Sequence, residues 1–148
     1  RRQRVSARRA ACGGSQLPLR DFSCAVVEAG VPLGTLLLRP AGPLHEVGDS
    51  MGLQDMHLES VAFNRKYRVE STDRRWAYAV LNQKTMELML NQPSFIIDFQ
   101  GSQVMARWER KRFSPRDFRS ALTVVAGMLD NLPPDVVEQL KETASGGR

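Results

Sequence analysis

Between Phe95 and Trp108 the sequence reads FIIDFQGSQVMARW, two alternating apolar runs joined through Gly101-Ser102. Glycine at the first central position is what a two-residue type II′ turn demands, because that residue takes a positive φ. Closing the turn by pairing Gln100 with Gln103 sets Phe99 opposite Val104, Ile97 opposite Ala106 and Phe95 opposite Trp108. All six apolar side chains then share a face, and a slip of one residue would turn the whole set to water. A chain with this hairpin is committed to an antiparallel sheet with one buried face.

Other segments supply its neighbours. FSCAVV (22–27) and TLLLR (35–39), separated by a Gly- and Pro-containing link, read as two further strands. In PLHEVGDSMG (43–52), Leu44, Val47 and Met51 give one helical stripe that Gly52 can end. AFNRKYRVESTDRRWAY (62–78) has Phe63, Tyr67 and Val69 on odd positions and Asn64, Lys66, Arg68 and Glu70 on even ones. That alternation predicts a strand with an aromatic core face, Arg65 being the one cation on it. Thr72 or Asp73 then caps a helix beginning at RRWAYAVL.

One helix running on through residue 91 would carry the Trp76/Val80 stripe onto Gln83, Lys84 and Glu87. The helix therefore breaks near Asn82, which caps a second one with Met86, Met89 and Leu90 on its apolar face. Ser114, Pro115 and Asp117 follow the pattern of a helix start, and Phe118, Ala121, Leu122, Val125 and Leu129 supply its core stripe. Pro133-Pro134 stops it, and DVVEQLKE adds a short terminal helix.

The expected fold is α+β: a mainly antiparallel sheet of about five strands packed with three to four helices. Its 148 residues suit one domain. Residues 19–142 form that domain, 1–18 a flexible Arg-rich arm and 143–148 a disordered tail.

The charge distribution sharpens the picture. Arg1, Arg2, Arg4, Arg8 and Arg9 make five cations among the first nine residues, so 21 − 5 leaves 16 bases against 16 acids in the rest. The body is formally neutral, and no nucleic-acid partner is expected. The longest apolar run, GVPLGTLLL, falls short of the ~20 residues that cross a bilayer.

Chemistry-bearing motifs are scarce. GxGxxG, Walker, GxSxG and HExxH patterns do not occur. His45 and His57, near Glu46, Asp49, Asp55 and Glu59, are the one weak set of metal donors, and no spacing makes them converge. No catalytic residue and no cofactor are assigned. The disulfide state of Cys12 and Cys24 stays open, with Cys24 in an apolar run that predicts a buried, inert thiol.

RWERKRFSPRDFR (107–119) sets six cations against two acids among Trp108, Phe113 and Phe118. Arg110, Lys111 and Arg112, joined by Arg65 and Arg68, read either as a patch for phosphate groups or an acidic partner, or as a solvated sheet edge.

At LESVAFNRKYRVESTDRRWAYAVLNQKTMELML the chain resembles an uncharacterised family of actinobacterial membrane-anchored proteins with a domain of unknown function. Glu59-Ser60, Phe63-Asn64, Tyr67-Arg68-Val69, Asp73-Arg74-Arg75 and Met86-Glu87-Leu88 carry the likeness, which extends from Phe22 to Pro134. It departs at Ala62, where an acid is expected, and is loose at HEVGDSMG.

The resemblance implies one or two spanning helices upstream of the arm. Arginines at the start fit that arrangement, since Arg- and Lys-rich loops beside a spanning helix stay on the cytoplasmic side. The expectation is a non-enzymatic domain at the cytoplasmic face of the plasma membrane, contacting anionic headgroups or an acidic protein. The alternatives are a small enzyme or metal-binding domain whose site assembles only in the fold, and nucleic-acid binding through basic surface residues.

Overall fold

The computed structural model describes residues 5–6, 22–42, 54–108 and 111–146. The predicted 43–52 helix, the five arm arginines, Cys12, His45 and Arg110 lie outside the described residues.

Five five-residue strands make the body of the sheet: β2 (Cys24–Glu28), β3 (Leu36–Pro40), β5 (Tyr67–Ser71), β6 (Ile96–Gln100) and β7 (Gln103–Arg107). Short strands β1 (Val5–Ser6) and β4 (Gln54–Met56) flank them, giving the order β1-β2-β7-β6-β3-β5-β4 with every pair antiparallel. Val5 and Ser6 pair with Val27 and Val26, so this part of the predicted arm lies along the sheet edge. Among the described residues both margins end in short strands, which limits edge-to-edge pairing.

The hairpin closes in the predicted register, with Ile97 on Ala106, Phe99 on Val104 and Gln100 on Gln103. Gly101 sits at φ +59°, the conformation that a primed turn requires there. Past the last ladder pair the Phe95 and Trp108 rings stack at 5.3 Å.

The described helices are α1 (Val61–Lys66), α2 (Arg74–Val80), α3 (Gln83–Leu90), α4 (Pro115–Asp130) and α5 (Pro134–Gly146), of which α1 is not predicted from the sequence. The additional helix corrects the strand reading of 63–70: α1 runs to Lys66 and β5 begins at Tyr67. Ser60 caps α1, its hydroxyl accepting from Phe63 N–H at 3.2 Å, and the Asn64 side chain holds both backbone groups of Leu58. These local bonds outweigh the alternation. Arg65 is exposed on α1 and faces no core.

Asp73 caps α2 through Arg75 and Trp76 N–H, and Asn82 caps α3 through Thr85 N–H, as predicted. Ser114 and Asp117 complete a reciprocal capping box on α4. The fully buried residues of α4 are Ala121, Val124, Val125 and Met128, so its inward face is rotated from the predicted stripe, with Phe118, Leu122 and Leu129 at the margin. α5 continues past residue 142 to Gly146.

The helices cover one face of the sheet. There Ala25, Val27, Leu36, Leu38, Val69, Ile97, Phe99, Val104 and Ala106 join Phe63, Trp76, Val80, Met89 and the inner residues of α4 in a single core.

Candidate interaction surface

The antiparallel register gathers particular strand ends at one end of the sheet. β2, β5 and β6 begin there, and β3 and β7 finish there. Arg39 pairs with Arg68, and Arg107 pairs with Ile96 and Cys24. Extending the β3–β6 register by one residue sets Arg39 beside Ile96. Arg107, Ile96, Arg39 and Arg68 therefore occupy one row across the face opposite the helices, with strands about 5 Å apart. Arg39 and Arg107 belong to this end of the sheet with Arg65, Arg68, Lys111 and Arg112, although the sequence reading singled out only the last four.

Aromatic side chains gather at the same end of the sheet, on its core side. Trp108 stacks on Phe95, meets Phe113 edge-on at 5.2 Å, and donates from Nε1 to the Ser94 carbonyl at 2.8 Å. The Lys111 ammonium lies 4.5 Å from the centre of the Trp108 ring, a cation–π contact at the surface. Phe22, exposed just ahead of β2, belongs to the same end because Cys24 pairs with Arg107.

Not every cation there faces solvent. Lys66 Nζ donates to the carbonyls of Met89, Leu90 and Gln92, closing the C-terminal end of α3 where carbonyls lack helical partners. Burial pulls its pKa below the ordinary lysine value, while the three carbonyls accept from the charged form.

One row further in, Asp98 lies within the field of Arg107 and Arg39. Burial pushes its carboxyl above the ordinary Asp value; Arg107, the Gln100 side chain and Arg39 pull the other way. Gln100 Nε2 donates to Asp98 Oδ2 at 3.0 Å.

The remaining sequence candidates do not assemble. His57 and Glu59 are exposed, and among the described residues no group of three His, Cys, Asp or Glu side chains is arranged to hold a metal ion. Cys24 is 9% exposed, and burial pushes its thiol pKa up against the pull of Arg107. Among the described residues no helix is long and apolar enough to cross a membrane.

The sequence carried a signal for Arg107, whose place opposite Ile96 follows from the hairpin register. It carried none for Arg39, because β3 meets β6 across nearly sixty residues of chain. Compared with protein-family models, curated proteins and solved structures, the chain gives no match.

Proposed function

We propose that this protein is a non-enzymatic interaction module that meets anionic membrane headgroups with the Trp108 end of its sheet, on the cytoplasmic side of a membrane-anchored parent. One observation carries the reading: the Lys111 ammonium over the Trp108 ring, at the end that also holds Arg107, Arg39 and Arg68. Indole rings favour the boundary between apolar and wet phases, and cations beside them meet lipid phosphates.

The magnitude sets the role. At about 1 kcal/mol per cation near an anionic surface, four such side chains supply roughly 4 kcal/mol, too little to anchor a domain. They orient one that a second signal already tethers.

The test is co-sedimentation of the full chain with phosphatidylserine-containing vesicles and with pure phosphatidylcholine vesicles. The wild type should prefer the anionic vesicles, and the preference should fall as salt rises from 0.1 to 0.5 M. The double variant Arg68→Glu/Lys111→Glu keeps every arm arginine and should bind at least tenfold more weakly. Equal binding to neutral vesicles, or an unchanged double variant, rejects the reading.

A further inference from the structure

The other end of the sheet carries a second surface. There the β2–β3 link is fixed to the hairpin turn, Ala29 N–H donating to Ser102 O at 2.8 Å and Leu33 N–H to Gly101 O at 2.7 Å. Together with the end of α4 this link forms a wall facing α5. None of the residues of α5 is buried; it rests on the core through Val136, Val137 and Leu140 at half-buried positions.

Among the described residues, space remains on both flanks of that helix. A cavity of about 1010 Å³ lies on one side, bounded by Leu33, Leu129, Leu132 and Leu140 and by the charged groups of Glu28, Asp130 and Lys141. A second, of about 430 Å³, lies between α2 and α5 and is bounded by Asp73, Trp76, Val136 and Leu140. Leu140 borders both, so the two are halves of one trough that α5 straddles without filling. Trp76 in the smaller half is 6% exposed, and its indole N–H has no acceptor among the described residues.

We propose that this trough binds an amphipathic helix of a partner protein, which takes the place of α5. The trough already accepts a helix, which fixes the shape of its occupant. Valines and Ala144 underfill it, so a helix with larger aliphatic side chains gains contacts that α5 lacks. Charge fixes the polarity: α5 brings Lys141 to the cavity that holds Glu28 and Asp130, and Gln103 Nε2 holds Glu28 Oε2 at 3.0 Å. The partner helix therefore carries leucine-sized residues on one face and a cation beside them. α5 acts as a built-in competitor that keeps the apolar floor covered until the partner arrives. This proposal is independent of the membrane reading, since the trough lies at the opposite end of the strands.

The probe is a fluorescein-labelled synthetic peptide with the sequence of residues 133–146 carrying Val137→Leu and Ala144→Leu, titrated with the full chain by fluorescence anisotropy. Saturable binding is expected. Loosening the competitor with Leu140→Ser should tighten it about tenfold, because apparent affinity scales with the fraction of open trough. Asp130→Lys should weaken it about tenfold.

In hydrogen exchange, α5 amides should exchange at least a hundredfold faster than those of α4. Lys141→Glu, which leaves the apolar contacts of α5 intact, serves as the loosening variant if Leu140→Ser fails to fold. No saturable binding to a folded loosened variant, or α5 amides as slow as those of α4, overturns the proposal.

Discussion

Gly34 lies directly against the indole of Trp76: a Cβ at Gly34 would fall 2.5 Å from Trp76 Cγ. Trp76 meets Phe99 edge-on at 6.0 Å on the core side. Retreat from the new methyl would cost the ring its edge contact with Phe99, so Gly34→Ala should destabilise the fold by about 1–3 kcal/mol through overpacking. Gly127→Ala is the control, because its Cβ would meet the terminal methyl of the flexible Leu88 side chain. Its clash is relieved by a rotamer change and offset by about 1 kcal/mol of helix propensity. Urea denaturation of both variants checks the contrast, and equal midpoints would show that Trp76 shifts freely.

Lys66→Met should cost about 1–3 kcal/mol, since the substitution leaves the carbonyls of Met89, Leu90 and Gln92 without their shared donor. Arg65→Ala, one residue earlier and exposed, should stay within about 0.5 kcal/mol of wild type. Thermal unfolding of the pair separates a structural cation from a surface one.

Burial of Asp98 gives the fold a pH dependence whose sign follows from the cost of its charge. Its carboxyl is pushed above the ordinary Asp value by burial, so the folded state binds its proton more tightly than the unfolded chain does. The contribution to stability is complete below the ordinary value, and it is lost as pH rises through the raised one. Asp98→Asn abolishes this loss, giving a flatter stability curve from about pH 4 upward and a more stable protein at pH 7. Guanidinium midpoints at pH 4 and pH 7 measure it, and a steeper curve in the variant would contradict the assignment.

Ser60→Ala tests the conformation of residues 61–66. If the Ser60 hydroxyl caps α1, its removal costs about 1 kcal/mol; a solvent-facing serine ahead of a strand would cost nothing measurable.

The segment that begins at Ser60 shows where sequence and fold part. Phe63 and Tyr67 are four residues apart, a spacing that satisfies a helical face and strand parity alike, and their rings stack at 5.2 Å. The deciding bonds, from Ser60 and Asn64, are single side-chain contacts that periodicity does not register. By contrast the hairpin register, the break at Asn82 and the Ser114 box were legible, because each is fixed by neighbours within a few residues. The row of Arg107, Arg39 and Arg68 was not, since it exists only once β3 has docked between β5 and β6. The inward face of α4 was half legible: its period was right, but the rotation that buries Val124 and Met128 is set by the strands beneath it.

Asn82 has a consequence for how the domain comes apart. Its Oδ1 accepts from Thr85 N–H, and its Nδ2 donates to Ala79 O at 3.1 Å and to Asn131 O at 2.8 Å. One amide thus pins the end of α2, the start of α3 and the end of α4. None of these ends can fray without releasing the others, so the three helices form a single cooperative unit whose members should gain and lose order together.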